Sequence, residues 1–289
     1  MILKRGVWYA FLAVFLWATL GVGFKLAVSR VDSFLVAVYV GFLATLALFF
    51  YILFTGSVKR VWPEFKKHPL FYFIAGIIGL GLQQILYLKG YALLPASNVV
   101  ILFYSYPLFM VLLCTLFFKE RVSFKSLCCV LVGFVGVYVL IAKGTLLMID
   151  VGFGTLVTVL AALSWALFSV LIKHKKFDII LGMFFFNLFG FLFLVAMIPF
   201  FGFSLHLNFT EFFGMIYLAV FPTAIAFVLW NKALHRIPIS LCSNIALLTP
   251  LLSIILIFIF LKESLFISQL VGLLLIVGSV FVNVNITQK

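Results

Sequence analysis

The chain repeats one pattern of prolines, small residues and charges, and this duplication limits its fold more than any other feature. Residues 91–140 return as 232–284 with the same punctuation, displaced by 143 residues. The matched residues are Pro95, Ser97, Pro107, Lys119 and Glu120 in the first copy and Pro238, Ser240, Pro250, Lys262 and Glu263 in the second. The openings of the two halves match at a displacement of 148 residues, with Gly6, Trp17 and Lys25 answering to Gly154, Trp165 and Lys173. The chain is therefore two related units, which we expect at residues 1–145 and 146–289.

Composition places both units in a membrane. The 289 residues are 66% hydrophobic and 9% charged, with a mean hydropathy of +1.36, whereas soluble domains carry about 25% charged residues. A helix needs about 20 mostly apolar residues to cross a bilayer. Between the second and third spans, prolines and charges at residues 55–69 predict a solvated loop. The ten predicted spans are 7–28, 34–54, 70–92, 97–117, 124–142, 151–172, 179–200, 211–234, 240–261 and 266–285.

The distribution of basic residues predicts the topology. If the N-terminus lies inside, 15 of the 20 Lys and Arg residues fall on the cytoplasmic side and five fall outside, as the positive-inside rule requires. We therefore expect an integral protein of the plasma or inner membrane with both termini in the cytoplasm. The same rule accounts for the basic pI of 9.7, so the lipid bilayer is an expected partner and nucleic acid is not.

Each unit holds five predicted spans, so the second unit must enter the membrane from the opposite side. The predicted fold is an all-α polytopic membrane protein, with ten transmembrane helices in two inverted five-helix repeats. Inverted repeats recur in secondary transporters, where the substrate site lies at the repeat interface near the middle of the membrane. The sequence leaves the oligomeric state open, a monomer included.

Motifs in both copies resemble the EamA branch of the drug/metabolite transporter superfamily. They are ALLPAS at 92–97, the mid-span prolines, KERVS at 119–123, the Trp-Ala pairs at 17–18 and 165–166, and AIAFVLWNKAL at 224–234. The resemblance covers the whole chain and implies a ten-helix carrier of metabolites or drugs, often an exporter, that works by alternating access. The chain departs from the family's pattern at Tyr39, where Arg is frequent.

Reactive side chains are missing from the predicted spans. All seven acidic residues and all four histidines fall in or beside predicted loops, which argues against a buried counter-charge for cations and against an intramembrane hydrolase. The four cysteines show no paired spacing, so no metal site is expected. The prediction is transport of a small neutral or zwitterionic organic metabolite, such as an amino acid, by a facilitator or exporter without cofactors or enzymatic activity. The alternatives are a membrane-embedded enzyme, a lipid-handling protein, or an adaptor that transports nothing.

Polar and aromatic side chains on the spans expected at the repeat interface are the candidate substrate contacts. A glutamine facing lipid is costly, so those in the third span should face protein or water. The tryptophans of the first and sixth spans either line the path or fill the core between repeats. Lys25 and Lys173 either extend to the membrane surface or bind an anion. The candidate contacts are Trp17, Gln83, Gln84, Tyr87, Asn98, Trp165, Trp230 and Asn244.

Two mid-span prolines are predicted to bend the fourth and ninth spans. Pro107 lacks an N–H and frees the carbonyl of Phe103, and Pro250 does the same to Ala246. A freed carbonyl in hydrocarbon needs a partner or a wet cavity. Either a nearby hydroxyl satisfies it in a packed kink, with Ser105 and Thr249 as the candidates, or the bend shapes the cavity and serves as a gate.

Overall fold

A computed structural model describes residues 2–23, 31–142, 152–202, 208–262 and 266–288. The described part contains helices and no strands, and ten helices are long and apolar enough to cross a membrane. The prediction of ten spans is therefore confirmed. The end predicted for the first span, at residue 28, lies outside the described residues. The spans are α1 Leu3–Gly23, α2 Ser33–Phe54, α3 Pro69–Leu93, α4 Ala96–Phe118, α5 Phe124–Ala142, α6 Phe153–His174, α7 Ile179–Phe201, α8 Phe209–Leu234, α9 Ile239–Phe260 and α10 Gln269–Thr287.

The two repeats pack against each other through equivalent pairs of helices. Helix α1 lies against α8, and its equivalent α6 lies against α3. Helix α2 packs on α7, and α5 packs on α10. The α5–α10 contact is close because glycines face each other: a Cβ on Gly136 would come within 3.0 Å of the Gly272 carbonyl oxygen. Small residues of this kind let membrane helices approach backbone to backbone.

The start of α1 and the end of α10 lie on one face of the protein, which we call the termini face. Gly6 at the start of α1 lies against Arg236 and Ile237, which join α8 to α9. Near the end of α10, the Asn283 amide donates to the carbonyl of Ser240 at 3.1 Å. The first turns of α9 are therefore held from both ends of the chain.

Equivalent spans of the two repeats are interrupted by a π-helical segment. In α3 the segment is Ile77–Leu82, and in α8 it is Ala219–Ile225, which contains Pro222. Gly79 stands at the position equivalent to Pro222, 143 residues earlier. Such segments leave carbonyls without their usual partners, and they occur frequently at functional sites. The sequence analysis did not identify them.

Helices α4 and α9 are also interrupted, just before their prolines. Helix α4 consists of Ala96–Phe103 and Tyr106–Phe118, and α9 breaks at Leu247 between Ile239–Ala246 and Leu248–Leu261. In α9 the Thr249 hydroxyl donates to the carbonyl of Ala246 at 2.8 Å, which is the carbonyl that Pro250 frees. In α4 the Ser105 hydroxyl donates to the carbonyl of Leu102 at 2.6 Å rather than to Phe103. Hydroxyl groups therefore satisfy carbonyls at both breaks.

The segment predicted as a solvated loop before α3 is instead largely a helix, Val58–Lys67. Its basic residues are exposed, but Glu64 is buried and accepts hydrogen bonds from the Tyr72 hydroxyl at 3.0 Å and the Asp178 N–H at 2.9 Å. Its other oxygen accepts from Lys67 at 2.6 Å. The prediction was wrong because Glu64 finds partners on α3 and before α7 that the local composition does not reveal.

Candidate functional site

Three predicted tryptophans meet where the repeats face each other. Trp17 of α1 and its equivalent Trp165 of α6 touch edge to face, with ring centroids 5.8 Å apart. Trp230 of α8 lies 5.2 Å from Trp17, and Phe227 lies within 5.8 Å of Trp17 and 5.3 Å of Trp165. We call these four side chains the central aromatic cluster. Its position supports the prediction of the tryptophans at the repeat interface, whether they touch substrate or fill the core.

The π-helical segments supply acceptors to the opening span of the other repeat. The indole N–H of Trp17 in α1 donates to the carbonyl of Pro222 in α8 at 3.0 Å. In the inverted counterpart, the Ser164 hydroxyl in α6 donates to the carbonyl of Ile78 in α3 at 2.6 Å. Each interrupted helix is therefore tied to the other repeat at the level of the central aromatic cluster.

The two repeats differ in how tightly these equivalent surfaces close. Trp230 in α8 and Tyr87 in α3 are equivalent, 143 residues apart. Trp230 is 1% exposed and packs on Trp17, whereas within the described part of the chain no ring contact joins Tyr87 to Trp165, the equivalent pair. Tyr87 is partly exposed and lies against Phe103 at 4.5 Å. The pocket halves are thus closed on the side of the termini face and looser on the other.

Burial along α4 and α9 shows the same asymmetry. Every residue of Ile239–Ala246, the first part of α9, is buried. The equivalent first part of α4, Ala96–Phe103, is only partly buried and includes exposed and half-buried positions. Because the two segments occupy inverted positions, one lies toward the termini face and the other toward the opposite face. The described conformation is therefore closed toward the termini face.

Aromatic side chains with hydroxyl groups line the looser side. The Tyr87 and Tyr91 hydroxyls lie 3.1 Å apart. Phe103 connects Tyr87 to Tyr106, with ring centroids 5.4 Å apart, and Tyr106 lies 6.5 Å from Trp165. A continuous run of rings thus leads from the end of α3 to the central aromatic cluster, and its hydroxyls offer hydrogen-bond donors and acceptors along the way.

The predicted amide residues are distributed over three places. Gln83 is buried directly after the π-helical segment of α3 and Gln84 is half-buried beside it. Their side chains make no hydrogen bond to any residue that the structure describes. Asn98 is buried in the first turn of α4. Asn244 lies among α5, α9 and α10, where its amide donates to the Cys129 carbonyl and the Ser279 hydroxyl, both at 3.1 Å.

The termini face is closed by a charged network that sequence reasoning did not predict. The Glu120 carboxylate accepts a hydrogen bond from the N–H of Ile239 at 3.0 Å and so caps the start of α9. The Lys173 ammonium donates to the carbonyls of Leu234 and Ile237 at 2.9 and 3.0 Å. Lys173 is 12% exposed at its side chain and lies 3.8 Å from Glu120. The expectation that Lys173 extends to the membrane surface was wrong, because backbone carbonyls at the α8–α9 junction bind its ammonium group.

These charges border a pocket of about 400 Å³ that opens on the termini face. Glu120, Lys173, His174, His235 and Arg236 line it together with the residues of the α8–α9 junction. The sequence signal that could have found it is the Lys-Glu pair that ends α4, which the duplication repeats. Among the residues that the structure describes, all acidic side chains lie at or beyond helix ends, outside the middle of the spans.

The fold and this site define a membrane carrier built from inverted repeats, and comparisons with known proteins agree. The model of the EamA-like transporter family matches residues 4–142 and 152–285. The chain is 24% identical over 270 residues to the uncharacterized transporter YetK of Bacillus subtilis (strain 168), covering 90% of this chain and 81% of YetK. It is 26% identical over 231 residues to the uncharacterized transporter YoaV of the same organism, covering 75% and 76%.

A solved crystal structure shares the fold. It superimposes with a TM-score of 0.86 over 99% of this chain and 98% of that protein, at 21% sequence identity. The family match over both repeats decides the class. The protein belongs to the EamA-like transporter family and is an integral membrane protein.

Proposed function

We propose that this transporter moves a small neutral or zwitterionic organic metabolite, such as an amino acid, by alternating access, as a facilitator or exporter. The proposed path runs between the repeats. The tyrosines of α3 and α4 lead to the central aromatic cluster, and Gln83, Gln84 and Asn98 supply amides along it. Pro107 and Pro250 mark the breaks about which α4 and α9 would bend. Asn244 stays a predicted contact, although it lies among α5, α9 and α10.

The observation that carries the proposal is the asymmetry between equivalent contacts. Trp17 packs on Trp230 toward the termini face, while Trp165 and Tyr87 make no ring contact toward the opposite face. An inverted-repeat carrier alternates by exchanging the conformations of its two halves. One closed and one loosened half is the arrangement expected for a single step of that cycle.

The substrate class follows from the side chains that line the path. Carriers of cations and proton-coupled carriers place ionisable residues within their spans, and the described spans hold none at mid-depth. Indole rings, phenols and amides bind amphipathic molecules through apolar faces and hydrogen bonds. A neutral molecule, or a zwitterion with balanced charge, fits such a lining best.

We also propose that the termini face is cytoplasmic. Of the 20 Lys and Arg residues, 15 fall on that side of the predicted topology, and positive charge marks the cytoplasmic side. The described conformation would then be open toward the outside.

Transport into proteoliposomes tests the proposal. A panel of labelled amino acids, nucleosides and sugars is offered with and without a proton gradient to the wild type and to Trp17→Ala and Gln84→Ala. Trp8→Ala is the matched control, since Trp8 is 64% exposed on the outer surface of α1. We expect gradient-independent equilibration of a neutral or zwitterionic solute that the two site variants lose and Trp8→Ala keeps. Strict dependence on the gradient, or equal flux in all variants, would contradict the proposal.

A further inference from the structure

Three potential metal ligands converge at the termini face, away from the proposed substrate path. The Cys114 sulfur lies 3.0 Å from Oε2 of Glu120 and 3.1 Å from Nε2 of His174, and the two latter atoms are 3.8 Å apart. Ligands of a tetrahedral zinc ion, with bonds of about 2.0–2.3 Å, lie about 3.3–3.6 Å from each other. The three atoms therefore need shifts of about half an ångström to enclose an ion.

Local structure holds each ligand in place. Helix α4 ends at Lys119 with φ 54°, and this left-handed turn directs the chain back so that the Glu120 N–H bonds the Cys114 carbonyl at 3.3 Å. The His174 ring at the end of α6 stacks on Phe118, with centroids 3.9 Å apart and planes inclined by 4°. The stacking orients the imidazole with Nε2 toward the sulfur.

We propose that Cys114, Glu120 and His174 form a binding site for a borderline-soft divalent metal ion such as Zn²⁺. Thiolate and imidazole ligands favour zinc over magnesium or calcium. On binding, the Cys114 S–H bond breaks, its proton passes to solvent, and sulfur, imidazole nitrogen and carboxylate oxygen bond the ion. Three protein ligands leave a fourth position for water, as in open zinc sites.

Charge and access are both compatible with this assignment. A dication with one thiolate and one carboxylate is neutral overall, so the Lys173 ammonium, 3.8 Å from Glu120 and held by two backbone carbonyls, does not repel the complex. Glu120 and His174 line the pocket that opens on the termini face, which gives an ion a route to the buried sulfur. Spacing in the sequence concealed the site, because Cys114 and His174 come from different repeats.

A bound ion would join the first repeat to the second at the face that is closed in this conformation. Cys114 and Glu120 belong to the first repeat and His174 to the second. The ion would add bonds across the same junction that Glu120 already spans by capping α9. Metal binding is a property of the folded chain, and its measurement needs no transported substrate.

Cobalt substitution in the purified full-length protein tests the site. We expect one Co²⁺ per chain with a thiolate-to-cobalt charge-transfer absorption that Zn²⁺ abolishes. Cys114→Ser should lose the absorption, and His174→Asn should weaken binding at least about tenfold. Cys128→Ser and His68→Asn are the matched controls and should behave as wild type. Absence of the absorption in the wild type, or its survival in Cys114→Ser, would overturn the proposal.

Alkylation of the wild type gives a second measurement that does not depend on the folding of a variant. Peptide mass spectrometry follows the reaction of each thiol with a maleimide, with and without Zn²⁺. Zinc should slow the reaction of Cys114 at least about tenfold and leave that of the half-buried Cys128 unchanged. Equal rates for Cys114 with and without zinc would refute the site even if transport itself were established.

Discussion

Replacing Glu120 by alanine is expected to open the termini face. The Glu120 carboxylate is the acceptor that joins the end of α4 to the first N–H of α9, at 3.0 Å across the two repeats. A hydrogen bond to a charged group contributes about 1.5–3 kcal/mol. Since about 1.4 kcal/mol is a factor of ten in an equilibrium constant, losing this bond should raise the population open at this face about 10-fold to about 100-fold. Lys173 keeps its two carbonyl partners, so we assign it no part of the change.

A native thiol reports the opening. Cys242 lies one turn into α9 directly behind the Glu120 cap, and its side chain is 0% exposed. When opening and closing are faster than the chemical reaction, the modification rate follows the open population. The rate of maleimide alkylation at Cys242, measured by peptide mass spectrometry in metal-free proteoliposomes, should therefore rise about 10-fold to about 100-fold in Glu120→Ala.

A charge-matched variant separates this effect from a general loosening. Glu211 caps the start of α8, where Asn208 and Glu211 bond each other's backbone N–H groups at 2.9 Å. Glu211→Ala removes one carboxylate and one helix cap at the opposite face, so Cys242 should react at the wild-type rate. A rate in Glu120→Ala within about twofold of wild type, with the protein still monodisperse, would refute the assignment of Glu120 as the closing contact.

Two further predictions concern stability. Gly79→Val should lower the unfolding temperature, because a Cβ on Gly79 would come 2.2 Å from the Phe168 ring and overpacking costs about 1–3 kcal/mol, whereas Gly278→Ala, with nothing within 4 Å, should be tolerated. Burial raises the pKa of Glu64, but its hydrogen bonds, including that from Tyr72, outweigh this and lower it below the ordinary value. The carboxylate's stabilisation should then be full above the unfolded-state pKa of about 4.3 and lost as pH falls through the lower folded value. Thermal unfolding in detergent checks both, and a Glu64→Gln variant whose acid sensitivity equals that of wild type would contradict the second.

The sequence predicted the helices well because hydropathy and duplication are properties of the chain alone. Ten apolar runs and two matched sets of prolines are visible without any contact. The meeting of Trp17 with Trp165 could also be anticipated, since equivalent residues on the opening spans of inverted repeats approach the same symmetry axis. What the sequence could not distinguish is whether these rings bind a solute or fill the core.

The termini-face network was missed because its contacts depend on tertiary structure. Glu120 and Ile239 are 119 residues apart, and nothing near Glu120 in the sequence shows that a helix N-terminus will meet it. Lys173 resembles the lysines that extend to the membrane surface, and only the position of the α8–α9 junction gives it carbonyl partners. The π-helical segments escaped for a different reason, since Gly79 and Pro222 are different residues whose equivalence appears only once the displacement of 143 is applied to them.

Differences between the repeats give the proposed cycle a direction of preference. Where α8 carries Phe227 and Trp230, the equivalent positions of α3 carry Gln84 and Tyr87. Closing the termini face buries rings, but closing the opposite face would bury an amide that makes no hydrogen bond to the described residues. An unsatisfied buried polar group costs about 1–3 kcal/mol, so the empty carrier should favour the conformation described here. A solute that hydrogen-bonds Gln84 would remove this cost, and closure of the opposite face would then depend on the substrate being bound.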